Sequence, residues 1–376
     1  MDPFHVTFVA SRFRDGGVER RINRLADGML RNGVHCTFLL GESGKGGAGD
    51  LVPAGVEMRV CPGERPLQRG LQALMAERDP ARHAVLAFRA TDFSATVATV
   101  TGAPAPRPGL FLVSGAFMTE RLSGSGLQRL RGWKLHRRMR RLWSRADGVL
   151  TISPEIAADW RSVPGFPADK VHYVHPPVVG EDVDTLSREP VEHPWAAGDA
   201  PPVILGVGRL VRDKRFHLLV EAVRQVREQY DVRLVILGKG PEQERLAEQA
   251  RGLGIGDVTD LPGFSANPYA WMRCARMLVL PSGHETFGLV LIESLFTGTP
   301  FIAMAEAKGP ASIHAATRQG ELVAPSTSGA LAEAISRELS APADPDSLRA
   351  AATPYDSINS ARDHLDAIHG VLQDGH

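Results

Sequence analysis

Residues 281 to 300 read PSGHETFGLVLIESLFTGTP, and they carry the most chemistry per residue in the chain. Glu285 and Glu293 stand eight apart. Glu285 falls in a polar loop with Gly283 and Gly288, and Glu293 about one turn inside an apolar helical pattern over 289–297. The apolar run MLVLP (277–281) precedes them as a strand. A strand, a Gly-bearing loop and a helix N-terminus make an anion site, because unpaired N–H groups and the helix dipole both favour negative charge. In an open α/β sheet, ligands bind beyond the carboxyl ends of the strands. A phosphorylated ligand is therefore expected here. E-x7-E alone is a common spacing, so the surrounding residues decide.

A second basic turn follows another strand: VILGVGRL (203–210) continues into Val211, Arg212, Asp213, Lys214 and Arg215. The third glycine of a dinucleotide fingerprint would fall on Val211, so G-x-G-x-x-G fails. What remains is a turn carrying Arg209, a fixed fork of donors, and Lys214, a compact charge. That pair suits a diphosphate.

These positions sit in a repeating grammar of short apolar strands and longer helical patterns, the mark of parallel α/β sheets. In the first half the strands are 5–11, 34–40, 83–88, 109–114, 148–153 and 170–175. In the second they begin at 203, 233, 258, 277, 301 and 321. The aperiodic, Pro-rich stretch 181–202 reads as a linker. It divides a domain over 1–180 from one over 203–350, with a last helix within 351–376. The 376 residues hold 43 Lys+Arg and 43 Asp+Glu, and the zero net charge is uneven. Residues 1–180 hold 25 basic against 16 acidic side chains, and residues 181–376 hold 18 against 27. Two domains with different partners are expected.

The ordered set GRL-x3-K (208–214), LGKGP (237–241), LPGF (261–264), PSGHE-x-FGL-x3-E (281–293) and G-x-P (298–300) resembles the retaining glycosyltransferases of family 4. The likeness is dense over about 200–325 and returns as GGVER (16–20) after the first strand. It implies the GT-B fold: two doubly wound Rossmann-like domains facing across a cleft, the final helix returning to the N-terminal one. It implies transfer of a hexose-type sugar from a nucleoside-diphosphate sugar to a glycan or lipid-linked acceptor, with retained anomeric configuration and no metal or cofactor.

By the same resemblance, Gly208, Arg209 and Lys214 hold the diphosphate, with Gly238 and Gly240 beside them and Gly16-Gly17 approaching from the first domain. Glu285 contacts the donor sugar, and Phe287, Gly288 and Leu289 offer backbone N–H groups. Glu293 holds the ribose diol, a fit for a carboxylate that accepts two hydrogen bonds. Arg209, Lys214 and Glu285 are thus the expected catalytic set. Two positions depart from the family pattern. Ser114-Gly115 stands where many relatives carry a His near the acceptor, and Ala311-Ser312 stands where an acidic residue is frequent.

The segment 121–145 has nine Lys/Arg, including Arg137, Arg138, Arg140 and Arg141, with Trp133 and Trp143. It reads as an interfacial helix for an anionic membrane surface, or as the solvated face of an ordinary helix. No nucleic-acid motif accompanies the charge. Three cysteines without C-x-x-C spacing argue against a disulfide scaffold or zinc cluster. With no signal-like or spanning run, the expected location is cytoplasmic or peripheral on the inner face of the membrane.

Several features are decoys. GESGKGG (41–47) lacks the first glycine of a P-loop, and His172 and His175 face opposite sides of a strand. Asp182 and Asp184, a D-x-D metal signature in the other transferase architecture, lie in the linker stretch rather than after an apolar strand. Rival functions are a UDP-sugar 2-epimerase on the same architecture, which would turn over without acceptor, and a non-catalytic sugar-nucleotide binder. A glycosidase is excluded, because its two carboxylates must flank one bond at about 5–9.5 Å.

Overall fold

A computed structural model describes residues 3–13, 17–42, 52–119 and 143–374. The chain divides into two compact units: Met1–Val178 with Tyr355–His376, and Val179–Pro354.

The N-terminal unit holds a seven-stranded sheet of β1 (His5–Ala10), β2 (His35–Leu40), β3 (Glu57–Val60), β4 (His83–Ala87), β5 (Gly109–Ser114), β6 (Gly148–Thr151) and β7 (Val171–Tyr173). Its order is β3-β2-β1-β4-β5-β6-β7, parallel throughout, so the winding direction reverses between β1 and β4. The central strands are buried along their length, which is why they read as near-continuous apolar runs rather than alternating ones. Helix α1 (Gly17–Arg31) packs Ile22, Leu25, Ala26 and Met29 onto the sheet. The last helix of the chain, Ser357–Asp374, lies against α1 and adds Ala361, Leu365 and Ile368 to the same core. The C-terminal helix thus returns to the first unit. The crossover falls at Tyr355, and residues 351–354 stay with the second unit.

The second unit is a six-stranded parallel sheet of β8 (Val203–Val207), β9 (Arg233–Leu237), β10 (Thr259–Gly263), β11 (Met277–Leu280), β12 (Phe301–Met304) and β13 (Glu321–Val323). The order β10-β9-β8-β11-β12-β13 reverses between β8 and β11. One core joins Ile204, Leu234, Ile236, Val279 and Ile302 to the helix Phe216–Val226 through Leu219, Val220 and Val223.

Two expectations are corrected. Residues 181–202 are not a linker: Glu181–Ser187 is a helix of the second unit, packed on the helix Pro268–Cys274. Asn267 ties them together by donating to Leu186 O and to Glu189 at 2.8 Å each. Three acidic residues in the first turn of Glu181–Ser187 favour the helix dipole, and a seven-residue helix is too short to show periodicity. Trp143 is not a surface anchor either. It is buried and stacked at 5.3 Å on Trp160 of the helix Pro154–Arg161.

Candidate functional site

The sequence-derived donor residues of the second unit gather at the carboxyl ends of β8, β9 and β11, at the reversal of strand order. Loops on either side of such a reversal diverge onto opposite faces and leave a crevice between them.

The turn after β8 is shaped by backbone-to-backbone packing. Gly208 N–H donates to Leu237 O, and Leu210 N–H to Lys239 O, each at 3.0 Å. Gly238 has φ +147°, and a Cβ there would lie 1.8 Å from Gly208 O. A Cβ at Gly240 would lie 2.2 Å from Leu210 O. Both glycines are therefore demanded by the close approach of the two loops. That packing leaves Arg209 exposed at the tip, and Lys214 ends a short 3-10 turn over Arg212–Lys214.

The loop after β11 carries Glu285 to Lys214, and the two form an ion pair in which each side chain is about one-fifth exposed (18% and 19%). The same loop is tied down from several directions. Gly283 N–H reaches Asp213 O at 3.4 Å, and the Arg215 guanidinium packs against Gly283 and pairs with Glu306. Gly309 N–H, in the first turn of the helix Lys308–Thr317, donates to Glu285 O at 2.9 Å. Loops after β8 and β12 thus hold the Glu285 loop in place.

Gly288, at φ +89°, turns the chain into the helix Leu289–Thr297, whose span matches the apolar pattern. A side chain there would be strained in the left-handed region. The first N–H groups of this helix, at Leu289 and Val290, have no acceptor within the helix. Phe287 is buried and anchors the loop. Glu293 lies one turn on, half-buried, and Tyr269 Oη donates to its Oε1 at 3.4 Å. The assembly brings two cations, two carboxylates and a helix N-terminus to one sheet edge. That is the equipment to bind a diphosphate, orient a polyol and stabilise charge developing on a phosphate leaving group.

Sequence reasoning missed the Lys214–Glu285 pairing, the Arg215–Glu306 strap, the Gly309 clamp and Tyr269. Only Gly309 left a trace, as a Gly-Pro opening a helix pattern. The others are side-chain contacts between segments 24 to 91 residues apart. Asp182 and Asp184 lie in the first turn of their helix, where Asp184 pairs with Arg188 at 2.9 Å. Among the described residues no cluster of three or more metal-type ligands occurs.

In the N-terminal unit, Gly17 opens α1 and Ser114 ends β5, nearly buried. Gly16, Trp133, Arg137, Arg138, Arg140 and Arg141 lie outside the described residues, as does most of the P-loop-like GESGKGG stretch. No described helix is long and apolar enough to cross a membrane.

Two doubly wound parallel domains, one gathering Arg209, Lys214 and Glu285 at its switch point, define a protein of the GT-B class. The model for "Glycosyl transferases group 1" matches residues 188–354, and that for "Glycosyl transferase 4-like domain" matches 16–177. The chain belongs to the group 1 glycosyltransferases of family 4. Over 108 residues it is 36% identical to the lipopolysaccharide core biosynthesis glycosyltransferase LpsD of Rhizobium meliloti (strain 1021). That stretch is 29% of this chain and 30% of LpsD, so the chain matches under a third of that relative's length. A glycosyltransferase from Rickettsia africae superposes with a TM-score of 0.79 at 15% identity, covering all of both chains. Anabaena HepE in complex with UDP and glucose gives 0.71 at 19% identity, over 98% of this chain and 100% of HepE.

Proposed function

We propose that the protein transfers a hexose-type sugar from a nucleoside-diphosphate sugar to a glycan or lipid-linked acceptor, with retention at the anomeric carbon. The observation that carries this reading is the Lys214–Glu285 pair at the switch point, beside exposed Arg209 and the Leu289–Thr297 helix N-terminus. Lys214 and Arg209 take the diphosphate, Glu285 orients the sugar, and Glu293, steadied by Tyr269, takes the ribose diol. As the glycosidic bond breaks, negative charge grows on the diphosphate, where both cations and the helix N-terminus stabilise it. The acceptor hydroxyl attacks from the leaving-group face, and its proton passes to the departing phosphate oxygen. These groups provide the charge neutralisation that a divalent ion would otherwise supply, so the reaction is proposed to be metal-independent.

The HepE complex with UDP and glucose is a fold relative and supports a uridine nucleotide as the first donor class to test. LpsD, named for lipopolysaccharide core biosynthesis, supports a cell-surface glycan precursor as the acceptor. Arg137, Arg138, Arg140, Arg141 and Trp133 are proposed to hold the enzyme on an anionic leaflet where such precursors lie. Trp143 is excluded from that role by its burial.

The test is a thermal-shift screen of nucleoside-diphosphate sugars followed by product analysis with and without EDTA. Donor-dependent stabilisation, weakened in Arg209→Ala, and EDTA-resistant transfer with a retained anomer are expected. Turnover of donor to an epimer in the absence of acceptor would overturn the transferase reading.

A further inference from the structure

Helix α1 carries a charge on its buried stripe. Val18, Ile22, Leu25, Ala26 and Met29 are its apolar positions, and Arg21 falls among them at helical spacing. Arg21 is only 8% exposed, and burial alone draws its guanidinium down to about 10. Other buried or half-buried arginines of this unit have partners. Arg24 donates to Val178 O, Arg89 pairs with Glu19, and Arg107 pairs with Asp147 at 2.8 Å. Among the described residues no carboxylate pairs with Arg21. A cation taken from water without an anion is destabilising, so its place in the core calls for a counter-charge.

The head of Arg21 lies at the carboxyl end of β5. A Cβ built on Gly115, the residue after Ser114, would sit 3.4 Å from Arg21 Nη1 and 2.9 Å from Ile152 Cδ1. Gly115 thus lies directly over the guanidinium without a side chain to cover it, and Gly115 and Ala116 are themselves partly exposed. A buried imidazole belongs to the same electrostatic neighbourhood. His364 is fully buried and donates from Nδ1 to Ser360 O at 2.8 Å, while its Nε2 has no partner. The charge of Arg21 is among the influences that keep this imidazole neutral.

We propose that Arg21, beneath Gly115, is the floor of an anion subsite that takes a phosphate or carboxylate group of the acceptor. This rests on the reading of the N-terminal unit as the acceptor side. A guanidinium offers its fork of donors to either group, and in a buried setting the charge-assisted bonds are strong. The subsite selects anionic acceptors over neutral ones, because a neutral group there leaves Arg21 buried without a counter-charge.

The experiment uses the full chain at constant ionic strength. Inorganic phosphate and acetate are titrated separately in the presence of saturating UDP, and unfolding midpoints are followed for wild type, Arg21→Met and Gly115→Val. UDP occupies the diphosphate site of the second unit, so the remaining response reports the N-terminal unit. If UDP alone does not stabilise the protein, the donor reading fails independently of this one, and the anion titrations are read without it in Arg209→Ala/Lys214→Ala. We expect saturable anion stabilisation in wild type, weakened about tenfold or more in Arg21→Met. Without anion, Arg21→Met should be at least as stable as wild type, since an apolar isostere relieves an uncompensated charge. Gly115→Val should weaken anion binding with the charge intact, which keeps the test open if Arg21→Met does not fold. A response to phosphate alone identifies a phosphoryl group, and a response to acetate alone a carboxylate. Unchanged anion affinity in Arg21→Met or in Gly115→Val overturns the proposal, as does the absence of any anion response in wild type.

Discussion

Glu285→Gln should tighten the binding of UDP while it suppresses sugar transfer. The Glu285 carboxylate holds Lys214, so a diphosphate must draw the ammonium away and then lie beside a carboxylate. At about 5–6 Å and an effective dielectric of about 20, that repulsion is roughly 3 kcal/mol before screening. Both side chains are about one-fifth exposed (18% and 19%), so salt and water reduce the repulsion. Roughly 1 kcal/mol should remain, which is about a fivefold gain in affinity. Lys214→Met acts in the opposite sense. It removes a charge-assisted contact worth about 1.5–3 kcal/mol, so UDP should bind about 10- to 150-fold more weakly. It also leaves Glu285 without its partner, lowering stability by roughly 1–3 kcal/mol. In the double variant, stability should recover while the affinity loss persists, a non-additivity expected of residues in contact. Calorimetric titration with UDP gives the affinities, initial rates give the transfer, and urea midpoints give stability. If Glu285→Gln weakens UDP as much as Lys214→Met does, the pair is a structural bridge and the assignment of Lys214 to the diphosphate is wrong.

Glu293→Ala should reduce affinity for UDP, with a smaller loss for inorganic diphosphate, which has no ribose. Tyr269→Phe should show a milder version, since it removes one 3.4 Å bond to Glu293. Equal losses for both ligands would move Glu293 off the ribose. Gly238→Ala should destabilise the second unit by several kcal/mol, because the added methyl meets Gly208 O at 1.8 Å. An unfolding free energy from urea titration within about 0.5 kcal/mol of wild type would contradict that packing. Stability should fall with acid below about pH 6.5. Burial is the first cause that lowers His5 to about 4, His83 to about 3 and His364 to about 4. The unfolded chain then binds protons first between about pH 3 and 6.5, so the native state is favoured at higher pH and weakened as pH drops through that window. Each such proton contributes a slope of about 1.4 kcal/mol per pH unit. A flat urea midpoint between pH 4.5 and 6.5 would refute the buried neutral imidazoles.

The alternation of apolar runs and helical stripes determined two parallel α/β sheets from sequence alone, because buried strands and amphipathic helices leave unmistakable periods. The helix Leu289–Thr297 was legible to the residue, since Gly288 and Gly298 bound a mostly apolar helical pattern. Glu285, Arg209 and Lys214 were legible as candidates because each follows a strand, where parallel sheets bind ligands. The short helix Glu181–Ser187 was not legible. Its only pattern is a run of acids, and its packing on Pro268–Cys274 joins segments some 80 residues apart. Trp143 misled because a Trp beside a run of arginines has the composition of a membrane anchor. Its burial against Trp160 depends on where the chain folds next. Arg21 was invisible as a special residue for the same reason. A helix of mixed charge shows which positions repeat, but only the packed sheet decides which of them lose contact with water. The tertiary structure also decided that Glu285 faces Lys214, since a contact across 71 residues is set by strand order, and no local pattern records it.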